Sequence, residues 1–481
     1  MPNFLESINI EDNTGHQYLL TIQDAGTLAL TQNNTQSIAA LSQRVTDVEN
    51  NLVVYNPSSN LNLDNTGETD CSTILNGVTN NVGFKEGTYL IDSDCTINAQ
   101  VVIPNGAKFN ITAGHTLTIN GQILAGRYII FEGAGSVAVD ETKQTFGYPE
   151  WFNDDVIKCY STFRHIILGY KTYVLDSDLV VNKENTCIEG ISYQRLATEV
   201  CSRLYFSNGR IIIGDIEGTV INNYPGNITI KNMYIDSTAN LEMISVYGVV
   251  RCYLENLYLL TPSTAAGVVF YKAIGSYAKN IYVQSVGVSG TFMGFYFRDL
   301  YGNDRAGERS ASVWLQNCTY ADTAPANGNT YGFFIGAGHS DIYLDSCEVA
   351  GATVGFVMQG QVHDYDIDIL ISNCDFDSCR QRSILLDACT AGMITFNNCY
   401  AAMTADASGA SFMINNCTNN VSVNGLQIIM LNNTQIGVQI LSAVAALLNG
   451  IIMTGSGTPF VATDTTKLHG TYLANGTPTT I

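Results

Sequence analysis

The strongest constraint on this chain is an alternation of apolar residues that skips a beat at the same point eight times. In ITIKNMYID, Ile228 to Asp236, apolar residues at 228 and 230 are followed by 233 and 235, so the period-2 rhythm of a strand slips by one at Asn232. The pattern returns as Cys252, Leu254, Leu257 and Leu259 around Asn256, and as Ser276, Ala278, Ile281 and Val283 around Asn280. Further copies centre on Asn317, Ser346, Asn373, Asn398 and Gly425. Asn and Gly accept the left-handed backbone, so one such residue turns the chain sharply between two strands and shifts which side chains face inward.

From Asn232 to Gly425 these corners step by 24, 24, 37, 29, 27, 25 and 27 residues. β-rich repeats of this length suit one three-strand coil of a solenoid that buries its core only by stacking. At a strand spacing of about 4.8 Å, the seven steps span roughly 34 Å. One similar stretch, FMINNC at 412 to 417, falls between two corners and out of register.

Stacked coils turn equivalent positions into columns. The inward residue after each corner reads Met233, Leu257, Ile281, Cys318, Cys347, Cys374, Cys399 and Leu426. Four successive cysteines there act as small apolar fillers, and they are expected to be reduced and inert. The outward residue before the corner runs Lys231, Glu255, Lys279, Gln316 and Asp345, which pairs opposite charges across neighbouring strands. Two residues after the corner the outward column reads Tyr234, Tyr258, Tyr282, Thr319, Glu348, Asp375, Tyr400 and Gln427.

That last column carries the candidate chemistry. Stacked Tyr rings offer flat apolar faces with hydroxyl edges, which suits sugar rings. Glu348 and Asp375 on adjacent strands would raise one carboxyl pKa and stand at a separation used by retaining glycosidases, so they are the candidate catalytic acid and nucleophile. A face buried between chains, or a solvated Tyr ladder, accounts for the same column.

Composition removes other function classes. Of 481 residues 46% are hydrophobic and 14% charged, as in a folded chain. The net charge of -21 argues against binding nucleic acid or anionic lipid. The longest apolar stretch, Ile440 to Met453, is too short to span a bilayer, and the first residues lack a basic and apolar leader, so a soluble chain is expected. The thirteen cysteines have no paired metal-ligand spacing, and no metal or cofactor is expected.

Before the repeat lie two other segments. Ile38, Leu41, Val45, Val48, Leu52 and Tyr55 are spaced 3, 4, 3, 4 and 3, the seam of a short coiled coil, which implies association of chains. From Thr88 to Val139 short strands follow one another between turns, and a helix is expected from Asp155.

TLTINGQILAGRYIIFEGAGSVAV followed by GYPEWF resembles the lead-in of bacteriophage tailspikes and tail fibres of the pectate-lyase-like β-helix type. In that family PEWFG precedes a Gly-Asp-Gly segment and a helix that caps the solenoid. This chain has PEWFNDD without the Gly-Asp-Gly, so the resemblance implies an altered cap. It also implies a homotrimer, a virion location after synthesis in the host cytoplasm, contact with other virion proteins through the N-terminal region, and host surface polysaccharide as partner.

Together these readings predict an all-β protein, a right-handed single-stranded parallel β-helix with a β-rich N-terminal module and a short N-terminal coiled coil. The expected divisions are 1–33 for virion attachment, 34–56 coiled coil, 57–143 β-rich adaptor, 144–430 parallel β-helix and 431–481 terminal strands and cap. The insertion Arg298 to Arg309, which lengthens one coil, adds Asp304, Arg305, Glu308 and Arg309 to Tyr234, Tyr258, Tyr282 and Tyr400 as candidate glycan contacts. A second charged surface patch includes His363, Asp364, Asp366, Asp368, Asp377, Arg380 and Arg382. The leading expectation is a virion fibre that adheres to host glycans; a polysaccharide depolymerase on the same β-helix is the alternative. Light scattering of the intact protein should give about three times the 52.1 kDa chain mass; a monodisperse monomer would refute the trimer.

Overall fold

The computed structural model describes residues 61–480, apart from 193–200, 216–222, 262–264, 289, 299–309, 324–327, 361–367, 391, 419, 443–444 and 464–467. Before residue 61 it describes the strands Ser7–Glu11, Gln17–Gln23, Thr27–Thr31 and Asn56–Pro57. The first three form an antiparallel sheet. The coiled-coil stretch from Ile38 to Tyr55 and the insertion at 299–309 lie outside the described residues.

The rest is a parallel β-solenoid. All eight corners have positive φ, from 50° at Asn398 to 75° at Gly425. The columns read from the sequence are strand neighbours: Met233 pairs with Leu257 and Leu257 with Ile281, and Glu348 pairs with Asp375 and Asp375 with Tyr400. Asn is favoured at the corners for a second reason as well. Asn256 Nδ2 donates to Asn232 Oδ1 at 2.8 Å, Asn280 to Asn256 at 2.8 Å and Asn317 to Asn280 at 2.7 Å, so the corner side chains form an amide ladder along the stack.

FMINNC belongs to a different corner. Its strand, Gly409–Asn415, pairs with Arg382–Asp387, and Asn416 at φ 53° sits one coil beyond Ala388 at the same φ. The inward residues that follow are Cys389 and Cys417, both buried. The apparent misfit is a second set of corners running up the same solenoid.

The expected adaptor at 57–143 has the same construction as the β-helix. Asn56–Pro57, Val82–Gly83, Val101–Val102 and Ile123–Leu124 form one parallel sheet. Thr66–Asp70, Gly87–Ile91, Ala107–Ile111 and Phe131–Glu132 form a second, and Cys95–Ile97, Thr116–Ile119 and Ser136–Val139 a third. Parallel stacking thus begins well before residue 144. It was hidden because turns here use Gly at positive φ, as at Gly87, Gly106 and Gly133, instead of the Asn corner. At the other end the stack passes residue 430 through Gln435–Ile440, Ala445–Gly455, Thr458–Ala462 and Leu468–Ala474. It ends where Thr477–Thr480 folds back antiparallel.

PEWF forms a single 3-10 turn, Pro149–Phe152, followed by a helix Val156–Thr162 whose N-cap, Asp155, accepts from Lys158 N at 2.8 Å. Both lie within the run of coils and not at its end. Trp151 Nε1 donates to Gly126 O at 2.8 Å, and Phe152 meets Phe131 at 5.1 Å, so one continuous core joins the coils before and after the turn. In the later coils Cys318, Cys347, Cys374 and Cys399 are at most 2% exposed and are not in disulfides. Burial pushes the Cys347 thiol well up.

The corner ladder generates a stability prediction. Asn280→Ala forces an alanine into a left-handed position, costing about 1–2 kcal/mol, and removes two amide hydrogen bonds worth about 0.5–1.5 kcal/mol each. Asn280→Gly keeps the backbone and loses only the bonds. In thermal unfolding the order of stability should be Asn280, then Gly, then Ala; equal midpoints for the two variants would remove the left-handed requirement.

Candidate functional site

The outward column after the corner divides into two chemically distinct parts. At its start, Tyr234, Tyr258 and Tyr282 stack with centroids 5.0 Å apart and interplanar angles of 10° and 16°. Stacking is as the sequence implied, but exposure is not. Tyr234 is 4% and Tyr258 5% exposed, since Cys201 and Leu260 pack against the rings. The Arg203 guanidinium lies 5.5 Å from the Tyr234 ring centre and binds Asp236 with both Nε and Nη2. Tyr234 and Tyr258 are therefore part of a lateral packing layer and do not present open ring faces, whereas Tyr282 and Tyr400 remain half-buried. Leu260 belongs to the same strand as Tyr258, and Arg203 is the register partner of Tyr234 one coil earlier, upstream of the eight corners read from the sequence.

Further along, Thr319, Glu348, Asp375 and Tyr400 are successive neighbours on parallel strands. Glu348 is exposed and Asp375 half-buried. Asp375 Oδ1 is shielded from solvent and has no hydrogen-bond partner among the described residues. Burial, with smaller contributions from Asp377 and Glu348, pushes the Asp375 carboxyl up to about 6. The like-charge pair was legible in the sequence; the larger cause, burial, was not, and neither was the role of Asp377.

A second outward column lies on the other side of the corner, three residues before it. Tyr253 pairs with Tyr277, Tyr277 with Trp314 and Trp314 with Tyr343. Trp314 and Tyr343 stack at 5.4 Å and 9°, and Trp314 is 40% exposed. Beside this ladder runs the column Glu255, Lys279, Gln316 and Asp345, and Tyr277 hydroxyl donates to Gln316 Oε1. The arrangement is four consecutive aromatic rungs edged by polar groups. Its sequence signal was present, because counting back three from each corner yields Tyr253, Tyr277, Trp314 and Tyr343. The two columns meet at the corner edge: Tyr343 and Glu348 belong to strands Ser340–Asp345 and Glu348–Ala350, joined through Ser346.

Asp304, Arg305, Glu308 and Arg309 lie outside the described residues, as do His363, Asp364 and Asp366. Arg380 of the second charged patch is ion-paired with Asp322. Its Nη2 donates to Asp322 Oδ2 at 2.8 Å, to Thr330 at 2.8 Å and to Thr353 at 3.1 Å, a network tying three coils together.

No family model and no curated protein matches the chain. Among solved structures it is similar to the A-module of mannuronan C-5 epimerase AlgE6 of Azotobacter vinelandii, at 9% identity and TM-score 0.41, covering 88% of this chain and 99% of that one. It is also similar to ORF18 of Geobacillus virus E2, at 11% identity and TM-score 0.29, covering 98% and 71%. A third similarity is to tailspike protein 3 of bacteriophage CBA120, at 8% identity and TM-score 0.30, covering 100% and 79%.

Asp375 supplies a test by linkage. Its folded pKa of about 6 lies above the ordinary 3.8, so between those values the folded chain holds a proton that the unfolded chain has released. This group's contribution therefore falls as pH rises from about 4 through 6. Asp375→Asn removes that loss: its thermal midpoint relative to the natural chain should be higher at pH 8 than at pH 4. An offset independent of pH would show that Asp375 is not perturbed.

Proposed function

We propose that the protein is a structural fibre or spike of a phage virion that adheres to host-surface glycan, with the outward ladder Tyr253, Tyr277, Trp314 and Tyr343 as the platform for sugar rings. The observation that carries the reading is the stacked pair of exposed Trp314 and half-buried Tyr343 with hydrogen-bonding side chains beside it. Flat aromatic faces bind the apolar face of a pyranose, and the flanking amide and carboxylate groups suit its hydroxyls. A strongly acidic chain favours neutral or cationic glycans over polyanionic ones.

In this reading the protein is a homotrimer whose N-terminal region docks to the particle, and the loop with Asp304, Arg305, Glu308 and Arg309 adds polar contacts. Exposed Leu431, Leu447 and Ile452 near the C-terminal end offer apolar surface for chains to share.

A second reading, a polysaccharide depolymerase, is favoured by one specific observation. Asp375 stays protonated up to about pH 6 beside the exposed Glu348, which is the division into acid and nucleophile that glycoside hydrolysis needs. Tyr282 and Tyr400 would then bound the sugar on the same column.

The test uses purified intact protein and host capsular polysaccharide, with binding and reducing ends measured together. Trp314→Ala and Tyr343→Ala should each weaken binding by about threefold to tenfold, the loss of one aromatic contact worth about 0.5–1.5 kcal/mol, without lowering the thermal midpoint. Reducing ends that appear with the natural chain and vanish in Glu348→Gln or Asp375→Asn would establish the depolymerase. Unchanged binding in both ladder variants, with a loss of oligomer instead, would assign the ladder to a chain interface and overturn the adhesion site.

A further inference from the structure

The aromatic column continues toward the N-terminus into side chains of a different kind. Tyr253 pairs with Thr229, Thr229 with Cys187 and Cys187 with His165, so His165 and Cys187 head the same outward column. His165 lies on the strand His165–Ile167, and Cys187 and Glu189 lie on Cys187–Glu189, its parallel neighbour in the next coil. Ile166 and Ile188 between them point into the core, which forces the flanking residues outward.

Three potential ligand atoms converge there. One each from His165, Cys187 and Glu189 lie within 4.8 Å of one another, and His165 Nε2 is 3.6 Å from Glu189 Oε2. That nitrogen is shielded from solvent yet has no hydrogen-bond partner among the described residues. Of the thirteen cysteines, Cys187 alone is not fully buried. The one cysteine of the described chain that is not fully buried thus stands beside an imidazole nitrogen without a hydrogen-bond partner and a carboxylate.

We propose that His165, Cys187 and Glu189 bind a divalent cation of the zinc class, leaving one coordination position open to solvent. An imidazole, a thiolate and a carboxylate form a donor set of intermediate softness, which suits zinc and disfavours calcium or magnesium. Tetrahedral zinc holds nitrogen and oxygen ligands roughly 3.4 Å apart, close to the spacing found here, and the sulfur needs to move by at most about 1 Å. Binding displaces the thiol proton and clamps consecutive coils together just after the PEWF turn. Lys231 opposes it: its Nζ lies 3.3 Å from Glu189 Oε2, and Asn232 Nδ2 holds the other oxygen at 3.5 Å. The set has no sequence signature because its first two members are one coil apart and register alone makes them neighbours.

The reduced intact protein should be titrated with Co2+, following the thiolate-to-cobalt charge-transfer band, and the metal then displaced with Zn2+. One Co2+ per chain is expected. Cys187→Ser should abolish the band, His165→Gln should weaken binding about tenfold or more, and Lys231→Ala should tighten it several-fold by removing the competing cation. Zn2+ should also slow alkylation of Cys187 in the natural chain, read peptide by peptide by mass spectrometry, a measurement that does not depend on any variant folding. Absence of the band, its persistence in Cys187→Ser, or alkylation at an unchanged rate would overturn the site.

Discussion

The later coils of this solenoid depend on corner residues held in the left-handed backbone region. At φ between 50° and 75° the corner residue reverses the phase of the alternation, so apolar side chains on both flanking strands can face the same interior. Asn meets this conformational demand at low cost and also supplies a side-chain amide that bonds to the equivalent residue one coil away. The corner thereby fixes both the turn within a coil and the register between coils. Where a different residue carries the turn, another acceptor takes over the vertical contact: Asn373 Nδ2 donates to Asp345 Oδ1 at 3.0 Å, past Ser346.

With register fixed, chemistry becomes columnar. Inward columns need residues of matched volume, and the cysteine stack satisfies that with small apolar thiols that burial keeps protonated. Outward columns repeat chemical groups at the strand spacing, so stacked rings and like charges arise from the geometry itself. Whether such a column serves a ligand is decided by what lies over it. The Tyr234 and Tyr258 rings stack as neatly as Trp314 and Tyr343, yet the former pack with Cys201 and the Arg203 guanidinium and are buried, while Trp314 stays 40% exposed. Neighbouring carboxylates likewise differ: Glu348 is solvated, and Asp375 is partly withdrawn from water with an oxygen left unbonded.

The PEWF turn shows how the stack tolerates interruption. Pro149, Glu150, Trp151 and Phe152 are all buried, and Glu150 accepts from Tyr173 hydroxyl at 2.8 Å and from Arg127 at 3.2 Å. A buried carboxylate is stable only with such partners, and they come from the coils on both sides.

The sequence by itself determined the repeat, the corner residues, the inward and outward assignment of each column and the adjacency of Glu348 with Asp375, because period-2 alternation and left-handed propensity are local properties. It concealed the earlier coils, whose Gly turns leave no phase marker, and it allowed the ladder before the corner to pass unnoticed beside the more regular Tyr column after it. Only the tertiary structure decided which aromatic side chains stay exposed, that burial more than its neighbours perturbs Asp375, and that His165 meets Cys187 and Glu189. Those outcomes depend on the register between neighbouring coils and on which side chains solvent reaches, and neither is encoded in a local pattern.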